Sequence, residues 1–412
     1  MTAAKPSYRR LALLLGGLGM IGPFSIDTLF PAFPQIGAQF AVSPVAMQQS
    51  ISVYLLAYAL TSLAHGPLSD AVGRRRVILA GLMMFALASV GCALSTNLTM
   101  LLAFRAMQGM CAGVGQIVGR AVIRDVLDGD SAQRLMSNVS MIFGIAPALA
   151  PIIGGWILGV ERWPAIFWFL VLFAVVLLIA TWIVLPETHP PEARFRPQPK
   201  QLIRSHLYIV LNRRFQRFAA AGAFNFAALF LYISSAPVFV LQHLRLDQDQ
   251  FGWFFVPTIS GMVLGSFVSG RTAGRVSGTR LAGTGFLFCG LAAVLNISYN
   301  LLAPAPTAPW AVLPMAVNAF GIALVFPILT LAILDMYPRQ RGAASSLQAF
   351  TSLMLQSMVA GVLSPLLSAA PLKLALGAAA CTLIGGSLWW WEVRRTRMTV
   401  PPAEPEILPP PI

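Results

Sequence analysis

Long apolar stretches, each broken by a short polar segment, follow one another from residue 11 to residue 391 of the 412-residue chain. A helix needs about 20 such residues to cross the hydrocarbon core of a bilayer. On that measure the pattern predicts about twelve membrane-spanning helices. They cover residues 11–33, 46–65, 77–96, 98–120, 136–159 and 164–185, then 217–241, 251–270, 281–300, 308–334, 343–367 and 372–391. The fold class that follows is an all-α membrane protein. The one long break divides the spans six and six. The predicted organisation is a six-helix bundle over 1–185, a linker over 186–216, a second six-helix bundle over 217–391 and a tail over 392–412. The linker is rich in Pro and Arg, with Pro190-Pro191, Arg196 and Lys200 among them. The tail is Pro-rich, which predicts disorder.

The two halves echo each other. Gly66-Pro67-Leu68-Ser69, in the loop predicted after the second span, corresponds to Gly270-Arg271-Thr272-Ala273 after the eighth. Arg124-Asp125-Val126, a predicted turn after the fourth span, corresponds to Leu334-Asp335-Met336 after the tenth, and Pro31 in the first span to Pro237 in the seventh. Each match is short, but all three fall in order at nearly equal spacing, which fits parallel halves related by an axis along the membrane normal.

Composition supports a lipid environment. Hydrophobic residues make up 57% of the chain and charged ones 10%, against about 25% charged in an average soluble domain. The net charge of +14 would suit nucleic acid, but the basic residues form no domain. They sit between spans, so no nucleic-acid partner is expected. Arg162, Arg245 and Lys373 occupy one set of loops and Arg105 lies inside a span. The other basic residues share the N-terminus, the alternate loops and the tail. By the positive-inside rule that set is cytoplasmic, as are both termini. Cys92, Cys111, Cys289 and Cys381 all lie in apolar segments with no CxxC pair, which points to buried small hydrophobes and not to a metal or disulfide framework. The apolar run after Arg9-Arg10 is too long for a signal peptide and reads as a first span that is retained. No phosphate-binding loop and no catalytic constellation is evident, so neither an enzyme nor direct ATP drive is expected.

Four local motifs carry chemistry. Gly66 to Arg76 places Asp70 beside Arg74, Arg75 and Arg76 in a glycine-bounded segment closed by Gly73, where ion pairs can form in one conformation and break in another; a plain topology signal is the alternative. Arg105-Ala106-Met107-Gln108-Gly109 puts a cation inside the fourth span. That costs roughly 2.5–3.5 kcal/mol on insertion scales, so it should face a polar cavity unless it snorkels from the helix end. In the fifth span, Pro147 precedes Ala150-Pro151-Ile152-Ile153-Gly154-Gly155, small residues and prolines that allow close contact and bending. In the first, Asp27 sits in Ile26-Asp27-Thr28-Leu29-Phe30-Pro31-Ala32-Phe33-Pro34 and is the one evident carboxyl able to carry a proton within a span, with a hydrated structural acid as the alternative.

These elements resemble the major facilitator superfamily: the Gly66–Arg76 run its signature loop, the Arg105–Gly109 run its RxxQG element, and the Pro151–Gly155 run the end of its antiporter motif. Two positions depart from the family pattern: Ala71, where Arg or Lys is usual, and Ala150, where Gly is usual. The Asp27 element and Tyr232-Ile233-Ser234-Ser235-Ala236-Pro237 resemble the Bcr/CflA-type drug-resistance branch of twelve-helix drug:proton antiporters. The resemblance implies two pseudo-symmetric six-helix bundles rocking about a central site, in the bacterial inner membrane, with a functional monomer. It also implies proton-coupled efflux of small, largely hydrophobic compounds. Proton-coupled uptake or export of a metabolite on the same fold is the alternative.

Asp27 and Arg105 are then expected to couple protons, with Arg105 tuning the charge of Asp27. Phe24, Tyr54, Tyr58, Pro147, Asn225, Tyr232, Asn318, Phe320 and Gln356 are candidates for the substrate cavity, although helix packing would use the same residue types. Gly66, Asp70, Gly73, Arg74 and Arg75, with Gln108, Gly109, Pro151, Gly154 and Gly155, are expected to gate, the Asp70 cluster latching the cytoplasmic side. The expected partners are a small-molecule substrate, protons and membrane lipid. No metal is expected, and no cofactor beyond protons as the coupling ion.

Overall fold

A computed structural model describes residues 8–127, 129–189, 194, 199–272, 275–303, 305–337 and 340–399. Among them there is no strand, and twelve helices are long and apolar enough to cross a membrane. In the first half these are α1 (Tyr8–Phe40), α2 (Pro44–Val72), α3 (Arg74–Ala93), α4 (Leu98–Val126), α5 (Met141–Val160) and α6 (Pro164–Val184). In the second they are α7 (Arg213–Ser234), α8 (Gly252–Thr272), α9 (Gly278–Leu302), α10 (Leu313–Met336), α11 (Gly342–Leu367) and α12 (Pro371–Arg395). In a membrane every backbone amide must be satisfied within its own segment, and apolar sequence of this length can do that only as helix. Starts are fixed by side chains: the Ser43 hydroxyl accepts from the Ala46 amide, Asn97 Oδ1 from Met100, Asn212 Oδ1 from Arg214 and Ser277 Oγ from Arg280.

The helices outrun the apolar runs at the basic face. The stretch 66–72, expected as a turn, continues α2, which is broken only at Gly73 with φ +111°. Arg124-Asp125-Val126 lies inside α4, Leu334-Asp335-Met336 inside α10, and Arg271 and Thr272 inside α8; Ala273 is outside the described residues. Hydropathy measures the thickness of hydrocarbon, whereas a helix continues into the headgroup layer as long as its hydrogen bonds do. For the same reason the linker is shorter than expected. It contains a helix of its own, Pro199–Val210, and Arg213 already begins α7. Pro190-Pro191 and Arg196 fall outside the described residues. The predicted disordered tail is corrected as well: 392–399 extend the last helix to Thr399, and 400–412 lie outside the described residues.

Packing repeats between the halves. In the first, α1 packs on α5, α2 on α4 and α3 on α6; in the second, α7 packs on α11 and still more extensively on α12, α8 on α10 and α9 on α12. The principal contacts that cross the molecule are α2 with α11 and α5 with α8. Exchanging the halves turns each of these into the other, as a pseudo-twofold axis requires. The breaks repeat too. Pro31 opens a 3₁₀ turn, Phe30–Ala32, after α1 breaks at Asp27, and Pro237 opens a short helix, Ala236–Val238, after α7 breaks at Ser234.

Candidate functional site

Three places hold polar groups singled out by sequence, and a fourth joins the halves. The deepest is Arg105, fully buried in α4. Its Nη1 donates to the Ser25 carbonyl (3.0 Å), the Ser25 hydroxyl (2.9 Å) and Gln108 Oε1 (2.8 Å), and its Nε to the Ser50 carbonyl (3.3 Å). The guanidinium carbon stands 4.3 Å from the centre of the Tyr54 ring. Gln108 donates onward to Ser89 Oγ at 2.7 Å. This is a cation held by neutral oxygens and a ring face, each charge-assisted bond contributing about 1.5–3 kcal/mol. Gly109 makes the arrangement possible, because a Cβ there would come within 2.1 Å of the Tyr54 carbonyl.

Asp27, the last residue of the first helical segment of α1, is also buried, at 5% exposure. Arg105 was expected to tune its charge, but the two form no ion pair: among the described residues none takes up Asp27. Arg105 instead grips Ser25, on the preceding half-turn of α1, so any influence on Asp27 runs through the helix that carries it. The helix that follows Asp27 is fixed by α5. A Cβ at Gly154 would lie 2.2 Å from the Thr28 carbonyl, and one at Gly155 would lie 2.4 Å from the Gln248 carbonyl of the second half. The two glycines of the fifth-span motif thus let α5 touch both the α1 break and the opposite bundle, while Pro151 is buried beside them.

The third place is the basic end of the first half. Arg74 pairs with Asp70, with Asp125 Oδ2 at 3.1 Å and with the Ser69 hydroxyl at 2.5 Å, and its amide donates to Glu187 Oε1 at 2.9 Å. Thr188 donates to the same Asp125 oxygen at 3.0 Å. Arg75 donates to the Trp182 carbonyl at 2.7 Å and lies over that ring. Gly73 is required here by its φ and because a Cβ would meet Glu187 Oε2 at 2.3 Å. Gly66 lies within the α2 helix. The cluster was expected to latch the cytoplasmic side. Among the described residues its ion pairs stay within the first half, joining α2, α3, α4 and the segment after α6. Asp125 and Glu187 were missed by sequence reasoning, although Glu187 and Glu392 stand at corresponding ends of the sixth and twelfth spans. Glu392 takes Arg217 at 2.5 Å and Arg214 at 3.2 Å.

The fourth place is the seam between the halves. Gln49 Nε2 donates to the Gly361 carbonyl at 2.9 Å, and Ser52 and Ser357 exchange hydroxyl-to-carbonyl bonds at 2.9 Å. Phe30 stacks on Phe255 at 6.1 Å. All of these lie toward the face opposite the basic loops. Toward the basic face the α2–α11 contact continues through Leu63 as an apolar one.

The remaining candidates divide by environment. Phe24 stacks on Phe173 of α6 (5.2 Å) and Tyr54 under Arg105, both closed inside the first bundle. Tyr58 is half-buried and donates to Gln116 Oε1 at 3.0 Å. Tyr232 accepts from Asn296 at 2.8 Å, and Asn225 and Asn318 are buried. Phe320 packs edge-on against Phe288 of α9, Gln356 donates to Ser352 at 3.0 Å, and Pro147 is half-buried in α5.

Comparison with known proteins agrees with this architecture. The sequence model of the Major Facilitator Superfamily matches residues 15–361 and 218–410. An uncharacterized MFS-type transporter, YdgK of Bacillus subtilis, is 30% identical over 85% of this chain and 87% of its own. Multidrug resistance protein D of Escherichia coli is 29% identical over 88% and 89%. A bicyclomycin resistance protein homolog of Haemophilus influenzae is 29% identical over 64% and 66%. Among solved structures, the D-xylose–proton symporter superposes with a TM-score of 0.73 at 14% identity, covering 93% of this chain and 98% of that one.

Proposed function

This chain belongs to the major facilitator superfamily and is a multi-pass membrane transporter, not an enzyme; within that family we propose that it is a proton-coupled exporter of small, largely hydrophobic compounds, seated in a bacterial inner membrane with its basic face cytoplasmic. The observation that carries the reading is Asp27: a carboxyl buried in a span, free of any ion pair among the described residues, at the point where α1 breaks. Such a group can take up and release a proton without tearing a salt bridge apart. The helix break beside it is held by Gly154 of α5, and α5 reaches across to the second half through Gly155. Protonation of Asp27 is therefore placed to bias how the halves meet, by differential stabilisation of one arrangement. Arg105, gripping Ser25, positions the Asp27 segment and leaves the carboxyl itself unpaired. Relatives named for multidrug and bicyclomycin resistance support export. Protons are the coupling ion, no other cofactor is needed, and the monomer is the working unit.

Asp27→Asn is expected to abolish compound accumulation driven by a pH gradient in inverted vesicles, while expression and thermal stability stay near those of the parent. Retained proton-driven accumulation in that variant removes Asp27 from the mechanism. Accumulation only in right-side-out vesicles reverses the direction to uptake.

A further inference from the structure

The span ending at residue 120 leaves Arg120 at a membrane surface, as one more topology charge. The structure puts it elsewhere. α4 continues to Val126, so Arg120 lies about 9 Å inside that end at 1.5 Å per residue. The neighbours of α4 fix which way Arg120 faces. Gly113 lies against Tyr58 of α2, Val114 against Gly81 of α3, and Gly115 and Gly119 against Leu18 and Leu15 of α1. At 3.6 residues per turn, Gln116 and Arg120 share the remaining direction, between α1 and α2 and away from α3. α3 packs on α6 at the outside of the bundle, so this direction is inward, toward the second half. A snorkelling arginine would instead face lipid.

Arg120 is exposed although its helix is packed on three sides. The hydrogen bonds that tie the halves together lie toward the opposite face, so the room Arg120 borders is the part of the inter-half cleft nearest the basic face. No carboxylate among the described residues forms an ion pair with it. Its electrostatic neighbours are the Tyr58 phenol and a second cation, Arg124. One turn before it, Gln116 is engaged by the Tyr58 hydroxyl. The corresponding position in the second half, aligned through Asp125 and Asp335, is Thr330, which accepts from Gln348 at 2.9 Å. At this level the first half thus presents a cation where the corresponding position of the second half is a neutral hydroxyl.

We propose that Arg120 is an anion-recognition site in the cleft, and that the molecules it selects are amphiphiles carrying one carboxylate, sulfonate or phosphate group on an apolar body. The inference rests on the transporter reading in treating the cleft as the path of the transported compound. Arg120 supplies a planar fork of donors suited to such groups. The ring of Tyr58, whose hydroxyl engages Gln116 one turn before Arg120, suits the body. Gly119 lies level with Leu15, so Arg120 is about 18 Å along α1 from Asp27. Anion capture and proton carriage thus occupy separate levels of the same half. A soluble amphiphile and the headgroup of an anionic lipid share this chemistry.

The test reads binding without any proton gradient, so a failure of proton-coupled export leaves it standing. The full chain in phosphatidylcholine nanodiscs is titrated with 8-anilinonaphthalene-1-sulfonate and with N-phenyl-1-naphthylamine, a close analogue without the sulfonate, followed by energy transfer from tryptophan. Arg120→Gln should weaken the sulfonate probe about tenfold, the value of one charge-assisted contact, and leave the neutral probe unchanged. Arg120→Lys should recover part of the loss. Equal affinity of the sulfonate probe for parent and Arg120→Gln, or an equal fall for both probes, overturns the proposal. Replacing a third of the lipid by phosphatidylglycerol separates the sources. Competition seen in the parent and lost in Arg120→Gln assigns the site to a lipid headgroup, and no competition assigns it to a soluble anion.

Discussion

The two halves share a packing scheme and differ in chemistry. Each sets its first helix on its fifth, its second on its fourth and its third on its sixth, and each breaks its first helix just before a proline. The first half then buries Arg105 and Asp27 and turns Arg120 toward the cleft. Aligned through Asp125 and Asp335, the second half has Met315 where the first has Arg105, Asn318 where it has Gln108, and Thr330 where it has Arg120. Away from its basic end, its polar contacts include the neutral pairs Tyr232 with Asn296 and Gln348 with Thr330. Its buried carboxylate, Glu392, sits at the basic end and is paired with Arg214 and Arg217, so among the described residues that half packs its helices with no counterpart of Arg105 or Asp27 in mid-span. On the proposed reading the asymmetry belongs to function, with the charged mid-span groups of the first half working against a second half that is neutral at the same depth.

The largest effects should follow from the charges unique to the first half. Asp27→Asn is expected to remove coupling while sparing the fold. Arg105→Ala should do more harm to the fold, because it strips donors from the Ser25, Ser50 and Gln108 oxygens in a site closed to water. Leaving a buried acceptor unpaired costs about 1–3 kcal/mol, so a total near 3 kcal/mol is expected, read as a lowered unfolding temperature of the purified protein together with lost transport. Arg105→Lys keeps the charge but not the fork, and should fall between parent and Ala on both measures. Equal stability of Arg105→Ala and parent would mean that the network does not hold α1 to α4.

A smaller effect is expected at the basic ends, where both halves carry charge. Arg74 joins Asp70, Asp125 and the Ser69 hydroxyl, and is mostly buried. Glu392 joins Arg214 and Arg217. Truncating Arg74 to Ala leaves two carboxylates without that partner and should destabilise by about 2 kcal/mol. The informative readout is transport rate at saturating compound, compared with Glu392→Gln. If the Arg74 cluster times the movement of the halves, its loss slows turnover beyond what the stability change explains, and the loss at Glu392 does not. Similar rates in both variants would reduce the cluster to a brace within its own bundle.

The spans, their division and the two charges foreign to lipid were legible because each leaves a one-dimensional trace: an apolar run, an arginine or an aspartate within it. Helix ends were not, since the boundary of hydrocarbon is not the boundary of a helix, and Gly66 to Val72 reads as turn by composition while continuing α2. Partners were not legible either. Nothing local marks Ser25 and Ser50 as the acceptors for Arg105, and Asp27, a more obvious counter-charge in sequence, is not its partner. Arg120 was hidden by the same boundary error. Once its span is drawn longer, a charge assigned to the surface becomes one about 9 Å inside the end of α4.

The smallest effect is expected where the second half looks most like a binding site. Tyr232 is buried, and its hydroxyl accepts from Asn296 Nδ2 at 2.8 Å. Asn296 is itself engaged by Asn300 Nδ2 through its carbonyl and side-chain oxygens, at 2.8 and 2.9 Å. The ring of Tyr232 meets Phe239 edge-on at 5.2 Å. The Tyr232–Asn296 bond joins α7 to α9 as helix–helix hydrogen bonds do in membranes. Tyr232→Phe keeps the ring and removes one neutral acceptor, a cost of about 1 kcal/mol, visible as a small drop in unfolding temperature with proton-driven transport unchanged. A loss of coupling comparable to that of Asp27→Asn would be incompatible with a neutral second half. It would place part of the proton path in α7, and the chemical asymmetry would then describe where the charges sit and not where the work is done.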